Sequence, residues 1–219
     1  MPRIQDNIQP ILKTIPTGVT LVAVSKKKSA REMKEACLAG VWDFGENYVR
    51  EFLEKKRELA SALRWHFIGH LQRRKARDVV GEVVLIHSLD SHPLAFEIDK
   101  EAAKRNLVQN CLLEVNVGGE ATKSGISPDE AEKLLREMSA LKHVSIMGLM
   151  TLPPLLEDPE CVRPYFRQLR ELRDSLNAKN AYRFPLKELS MGMSHDYRVA
   201  IEEGATIVRI GTAIFGERK

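Results

Sequence analysis

A lysine at position 26 directly follows a short apolar run, LVAVS, near the start of the sequence. If that run is a buried strand, the Lys26 amine is partly desolvated, which lowers its pKa and prepares it to form an imine with an aldehyde. Lys27 and Lys28 come next, and a solvated turn explains most lysine triplets. Spacing alone does not say which amine points inward. We favour Lys26 because it lies nearest the strand.

A second group of chemically useful residues is the segment 190–194, SMGMS, which precedes His195, Asp196 and a predicted helix. A glycine turn with Ser194 ahead of a helix leaves N–H groups and a hydroxyl free to bind a phosphate. A serine N-cap explains the same residues without a ligand. Taken alone, the segment favours the N-cap.

An arginine also stands inside an apolar strand close to the C-terminus, in the sequence Arg209-Ile210-Gly211-Thr212. A buried guanidinium must be paired with a carboxylate or with a ligand acceptor, and the sequence is equally compatible with both. Gly211 lets backbone N–H groups approach a ligand, and Thr212 adds a hydroxyl donor. With Lys26, these residues describe a site for a phosphorylated aldehyde.

The elements that must position these residues follow from the hydrophobic pattern. Short apolar, β-branched runs alternate with amphipathic stretches from residue 20 onward, which predicts parallel strands joined by helices. A doubly wound sheet and a closed barrel both satisfy this pattern. The sequence has no GxGxxG or GxxxxGK[ST] motif, and eight repeats in 219 residues favour closure. We therefore predict one α/β domain over residues 1–219, a (β/α)₈ barrel of TIM type with an extra N-terminal helix.

The predicted elements place the candidate residues at one end of the barrel. In such barrels the reactive groups lie at the carboxyl ends of the strands, and the loops after strands 7 and 8 often bind a phosphate. The predicted strands are residues 20–25, 41–44, 65–68, 83–87, 111–117, 145–150, 188–191 and 206–210. The predicted helices are residues 4–13, 30–39, 48–63, 94–106, 128–141, 162–176 and 197–203.

Charge and composition argue against a nucleic-acid-binding protein. The 34 basic and 30 acidic residues are interspersed and give a net charge of +4, and aromatic residues make up only 6%. Such a mixture is typical of a solvated surface without a polyanion groove or stacking platforms. The densest basic run, residues 73–77, is interpreted as the exposed face of a helix, with RNA binding as the less favoured alternative.

The remaining signals describe a soluble cytoplasmic protein. The three cysteines, Cys37, Cys111 and Cys161, lie far apart, which argues against a disulfide framework or a zinc site and fits a reducing compartment. His66 and His70 lie on a predicted strand and its exit, about 13 Å apart, so we expect no metal site. No signal peptide or membrane-spanning run is present. We expect a monomer, since no heptad pattern or apolar patch requires association.

Seven motifs spread over nearly the whole chain closely resemble those of the pyridoxal phosphate homeostasis protein family, which is related to the barrel domain of alanine racemase. Their joint occurrence is very specific. The motifs are AVSK at 23–26, DFGEN at 43–47, WHFIGHLQ at 65–72, IHSLD at 86–90, GLMTLPP at 148–154, SMGMSHD at 190–196 and VRIGTAIFG at 208–216.

The resemblance implies pyridoxal 5′-phosphate as the cofactor and assigns residues to it by motif. Lys26 would form a Schiff base with its aldehyde, Asn47 would line the site beside the ring, and Arg209 would contact the pyridine nitrogen. The phosphate would be held by Ser194, Gly211 and Thr212, with Met191 close by.

Three functions are compatible with these residues. The preferred one is a carrier or buffer of pyridoxal phosphate that contributes to its intracellular homeostasis and hands it to apo-enzymes. The second is a weak racemase-like enzyme. Alanine racemase takes its second base from a tyrosine on another domain of the neighbouring subunit, and we expect no such domain after Lys219. The third is a phosphate-sugar barrel enzyme that uses Lys26 as a catalytic amine, although such a lysine more usually lies on a middle strand.

The arginine favours the carrier over the enzyme. A permanent cation at residue 209 disfavours protonation of the pyridine nitrogen by like-charge repulsion. An unprotonated ring is a poorer sink for carbanion charge. We therefore expect little catalysis beyond slow exchange with free amines.

Overall fold

Among residues 4–59, 62–120 and 123–217, which the computed structural model describes, eight parallel strands close into a barrel in chain order. They are β1 (Thr20–Val24), β2 (Asp43–Glu46), β3 (Arg64–Phe67), β4 (Leu85–Leu89), β5 (Gln109–Glu114), β6 (Val144–Met150), β7 (Glu188–Ser190) and β8 (Ile207–Ile210). Closure occurs where β8 pairs with β1, with Arg209 beside Val22. The predicted parallel barrel is confirmed.

Helices alternate with the strands and form the outer layer. They are α1 (Ile4–Thr14), α2 (Ala30–Leu38), α3 (Val49–Glu58), α4 (His92–Lys104), α5 (Ala131–Met138), α6 (Arg163–Ala178), α7 (Tyr197–Glu202) and α8 (Thr212–Phe215). The extra N-terminal helix expected from the sequence is α1. No helix within the described ranges combines the length and hydrophobicity that a bilayer crossing requires.

Three predicted helical segments differ in detail from the structure. The segment 128–141 begins with a 3₁₀ turn, Pro128–Glu130, and its α-helix ends at Met138. The helix predicted over residues 48–63 ends at Glu58, and residues 60 and 61 lie outside the described residues. The basic run 73–77 forms a 3₁₀ helix, Arg73–Asp78, in place of an α-helix between β3 and β4. Within this helix Ala76 is buried and Arg73 and Arg77 are exposed, so the run does present its charges to solvent.

Local sequence signals set several helix ends. Ser29 and Glu32 form a capping box at the start of α2, and Ser127 and Glu130 form another ahead of α5. Each box satisfies backbone N–H groups that the first helical turn leaves unpaired. At the other end of α2, Gly40 has a φ of 98°, a backbone conformation that glycine adopts without the steric cost of a Cβ.

The strands bury both of their faces. Inside the barrel, a small core is formed by Val22, Leu85, Leu112, Met150 and Ile207. Side chains at the intervening positions join residues of the helices in a large outer core, where Phe52 of α3 meets Trp65 of β3 edge-on at 5.4 Å. Burial on both faces explains why the strands read as nearly continuous apolar runs, and why a polar side chain inside the barrel is unusual.

Candidate functional site

The end of β1 separates the three consecutive lysines. Lys26 lies in the turn directly after β1 and is half-buried. Residues at even spacing along a strand share a side, so the alternation of β1, continued past Val24, puts position 26 on the same inward side as Val22. Lys27 is exposed and has a φ of 61°. Lys28 directs its Nζ to the carbonyl oxygen of Phe215, at 3.0 Å. Of the three lysines, Lys26 is the one that continues the inward side of β1.

The turns after β7 and β8 meet beside the end of β1. The Ser194 hydroxyl accepts hydrogen bonds from the N–H groups of Gly211 and Ala213, both at 3.2 Å. Gly211 lies so close to β1 that an added Cβ would sit 3.3 Å from the Cβ of Val24. Thr212 opens α8 with its side chain exposed. The tertiary structure therefore brings Ser194, Gly211 and Thr212 together at the same rim as Lys26.

The turn that carries Ser194 is held by its own backbone geometry. Gly192 has a φ of 90°, and an added Cβ would approach the Cβ of Ala200 to 2.5 Å. The carboxylate of Asp196 accepts the N–H of Met193 at 2.6 Å. Met191 is fully buried in the outer core, so its side chain is not brought to the group formed by Ser194 and the β8 turn.

Asn47 lies at the end of β2 with a polar atom left unsatisfied. Its Oδ1 is buried and has no hydrogen-bond partner among the described residues. The backbone of Asn47 is pressed against Gly69, where an added Cβ would lie 2.3 Å from the Asn47 carbonyl oxygen. Buried acceptors are normally paired, so this oxygen fits a ligand that presents a donor at the barrel mouth.

Arg209 heads a chain of hydrogen bonds that runs through the barrel interior. Its guanidinium, only 3% exposed, donates to the Ser190 hydroxyl. Ser190 Oγ lies 2.9 Å from His87 Nδ1, and His87 Nε2 lies 2.9 Å from His66 Nδ1. His66 Nε2 in turn lies 3.0 Å from the Asp43 carboxylate at the start of β2. The chain therefore links the mouth of the barrel to its opposite face.

The two charged ends of this chain set the direction of every bond in it. A guanidinium only donates, so the Ser190 oxygen accepts from Arg209 and its own hydrogen is free for His87 Nδ1. His87 then carries its proton on Nε2 and donates to His66, which likewise carries its proton on Nε2 and donates to Asp43. Both histidines thus carry a hydrogen on Nε2.

The buried charges agree with this assignment. Complete burial, reinforced by the neighbouring His66 and Arg209, holds the pKa of His87 well below its usual range. Burial lowers the pKa of Arg209 to about 10, although Glu114 and Asp196 act in the opposite direction. At neutral pH the guanidinium therefore remains charged while His87 is neutral.

Sequence reasoning did not find this polar chain or Glu114. A signal was present: each of three inward polar residues lies two positions after an apolar residue of the inner core, on the same face of its strand. The pairs are Leu85 and His87, Leu112 and Glu114, and Ile207 and Arg209. Polar residues at such positions indicate an interior site.

The buried carboxyl group of Glu114, at the end of β5, makes the stability of the protein depend on pH. Burial, followed by the charge of Asp90, raises the pKa of its carboxyl group from 4.5 to about 7. The folded protein then binds this proton more tightly than the unfolded chain, so its contribution to stability is lost as pH rises from 4.5 through 7. We expect the free energy of unfolding of Glu114→Gln, relative to that of the wild type, to increase by roughly 3 kcal/mol from pH 4 to pH 8. Denaturant unfolding at both pH values measures this difference, and a pH-independent difference would contradict it.

Comparison with known proteins shows which family this chain belongs to. Residues 1–219 match the family described as the N-terminal domain of alanine racemase. The pyridoxal phosphate homeostasis protein of Aquifex aeolicus is 54% identical over 200 residues, covering 91% of this chain and 87% of that protein. The protein of the same description from Escherichia coli is 38% identical, with 93% and 87% covered.

Solved structures extend the comparison. PipY of Synechococcus elongatus, determined with PLP bound, superposes with a TM-score of 0.90 at 36% identity, covering 97% of this chain and 100% of PipY. Alanine racemase from Corynebacterium glutamicum gives a TM-score of 0.79 at 15% identity, covering 99% of this chain and 61% of the racemase, and so shares the fold. The resemblance of the motifs is confirmed, and the chain belongs to the pyridoxal phosphate homeostasis protein family.

Proposed function

We propose that this protein binds pyridoxal 5′-phosphate reversibly, with Lys26 joined to its aldehyde carbon as a Schiff base, and acts as a carrier or buffer of the cofactor. The observation that supports this most directly is the meeting of two turns with one strand end. The Gly211 N–H donates to the Ser194 hydroxyl. A Cβ added at Gly211 would lie 3.5 Å from the carbonyl oxygen of Val24, which is two residues before Lys26. An amine and phosphate donors at one rim suit a phosphorylated aldehyde.

Each of the proposed binding residues has a distinct part. Ser194, Gly211 and Thr212 would hold the phosphate through hydroxyl and N–H donors. Lys26 would hold the aldehyde end. Met191 would support the turn from the outer core, where it is buried.

The residues beside the proposed ring position also fit the cofactor. Asn47 Oδ1, buried without a partner among the described residues, would accept a hydrogen bond from a polar group of the ring. Arg209 would face the pyridine nitrogen. Both hydrogen bonds made by its terminal nitrogens, to Ser190 and to the Thr151 carbonyl at 2.8 Å, hold the guanidinium in place.

The charge of Arg209 supports a carrier rather than an enzyme. Pyridoxal phosphate supplies an aldehyde that condenses with amines and a ring that takes up electron density when its nitrogen is protonated. A fixed guanidinium next to that nitrogen repels the proton. The site then favours binding and release over chemistry at an amino-acid α-carbon.

The names of the relatives support a role in pyridoxal phosphate homeostasis. We place the carrier in the cytoplasm as a monomer that passes the cofactor to apo-enzymes. All three cysteines are free thiols, which suits a reducing compartment.

The test is a visible absorption titration with pyridoxal phosphate, followed by borohydride reduction and peptide mapping. We expect one yellow band that saturates at one equivalent and one reduced adduct, on the peptide that contains Lys26. Pyridoxal, which lacks the phosphate, should bind much more weakly. Absence of the band, or an adduct on Lys27 or Lys28 alone, would contradict the proposal. Rapid exchange of an amino-acid α-hydrogen in deuterated buffer would favour the racemase-like alternative.

A further inference from the structure

A group of buried charges lies on the outer side of β1 and β2, behind the strand end that carries Lys26. This Lys55 cluster consists of Ser25, Glu46, Glu51 and Lys55. Lys55 is 7% exposed and Glu46 is fully buried. None of these residues belongs to the binding site proposed above.

Lys55 of α3 uses its ammonium group to join three acceptors. Its Nζ donates to the Ser25 carbonyl at 2.6 Å and to the carboxylates of Glu46 and Glu51, both at 2.7 Å. The Ser25 hydroxyl donates to the same Glu46 oxygen at 2.7 Å. Glu51 also accepts the backbone N–H of Lys27.

Two of these bonds reach the peptide groups on either side of Lys26. The Ser25 carbonyl belongs to the peptide bond that enters Lys26, and the Lys27 N–H belongs to the peptide bond that leaves it. Lys55 holds the first and Glu51 holds the second, while Lys55 and Glu51 are paired with each other. The backbone around Lys26 is thereby attached at both ends to one helix.

The conformation of this backbone explains why it needs attachment. Lys27 has a φ of 61°, a left-handed conformation that non-glycine residues rarely adopt. Such a conformation persists only where surrounding contacts determine it. The hydrogen bond from the Lys27 N–H to Glu51 is one of those contacts.

Stability alone does not account for so much buried charge. Replacing a buried ion pair by apolar residues of similar volume is often neutral or stabilising. The position of Glu46 disfavours the charged form of its carboxyl group, because burial raises its pKa despite the hydrogen bond from Lys55. What the cluster provides is the geometry of the Lys26 backbone.

We propose that Lys55 and Glu51 are positioning residues that hold the two peptide groups flanking Lys26 and so set the approach of its amine to the aldehyde. The inference rests on the proposed function. It goes further by assigning a role to residues that do not touch the cofactor.

The experiment compares Lys55→Met with Lys56→Met. Lys56 is the next residue of α3 and pairs with Glu82 at 2.6 Å, so its replacement removes a lysine and a partly exposed ion pair from the same helix, away from the Lys26 backbone. Loading of the purified protein with pyridoxal phosphate is followed by the absorption band, and release by transfer to a trapping apo-enzyme. We expect Lys55→Met to release the cofactor faster by on the order of tenfold and to shift the band, and Lys56→Met to match the wild type.

A second variant distinguishes a loss of positioning from a loss of stability. Glu51→Ala removes the acceptor of the Lys27 N–H but leaves the deeper pair of Lys55 and Glu46 in place. We expect this variant to keep its thermal midpoint near that of the wild type and still release the cofactor faster. Glu51→Gln, which keeps a side-chain oxygen for the Lys27 N–H, should largely restore slow release.

The outcomes separate the two proposals. A wild type without the absorption band would overturn the proposed function itself. A wild type with the band, together with folded Lys55→Met and Glu51→Ala proteins of unchanged spectrum and release rate, would overturn the positioning role alone. Faster release in both variants, with recovery in Glu51→Gln, would establish it.

Discussion

Replacing Lys26 by alanine is expected to abolish the visible absorption band that pyridoxal phosphate produces with the wild-type protein. Lys26 is the lysine of the triplet that continues the inward alternation of β1, and it is half-buried. Without its amine, the cofactor retains only non-covalent contacts, which are the phosphate donors at Ser194, Gly211 and Thr212 and the ring contacts with Asn47 and Arg209. We expect binding to weaken on the order of a hundredfold, or about 2.8 kcal/mol. Absorption titration and equilibrium dialysis measure the two effects.

Lys27→Ala is the matched control. Lys27 is adjacent in sequence and exposed, and its interaction with Glu51 uses the backbone N–H, which alanine keeps. This variant should retain the band and the borohydride-trapped adduct. A band that survives in Lys26→Ala and disappears in Lys27→Ala would show that the nucleophile has been misassigned.

Replacing Arg209 by methionine is expected to lower the free energy of unfolding by about 2 to 4 kcal/mol. The change leaves the Thr151 carbonyl and one lone pair of the Ser190 hydroxyl without a donor inside the barrel, and each unsatisfied buried group costs about 1 to 3 kcal/mol. Denaturant unfolding of the cofactor-free protein measures the loss. The result therefore does not depend on ligand binding.

The matched control for Arg209 is Arg31→Met. Arg31 lies on the outer side of α2, with its side chain 90% exposed and a loose ion pair to Glu35 at 3.7 Å. Its replacement should leave the unfolding midpoint essentially unchanged, because solvent already screens the pair. Equal losses in the two variants would show that the interior chain does not depend on the guanidinium.

The direction of the interior chain supplies a second readout. Nitrogen NMR of the wild type should show His87 as a neutral Nε2–H tautomer, because burial lowers its pKa and its Nδ1 accepts the hydrogen of the Ser190 hydroxyl, which itself accepts from Arg209. In Arg209→Met the Ser190 hydroxyl is no longer obliged to donate to His87, so the tautomers should become mixed. A protonated His87 in the wild type at neutral pH would contradict the assigned direction.

The local pattern of the sequence determined the element types and their order. Strands buried on both faces require apolar, β-branched runs, and capping residues such as Ser29 and Ser127 mark where helices begin. These signals act over a few residues and are legible without a structure. They also placed Lys26 directly after a strand, Arg209 inside one and Ser194 in a turn ahead of a helix. The boundaries were less accurate, as with the helix that ends at Glu58.

Only the tertiary structure decided which of these residues meet. Closure of the barrel brings Ser190 to His87, 103 positions away, and Ser25 to Lys55 of a helix, 30 positions away. Such contacts depend on strand order and register, which hydrophobic periodicity does not encode. The same closure turns Met191 into the outer core. The sequence determined which groups are available, and the register of the closed barrel decided which of them share a site.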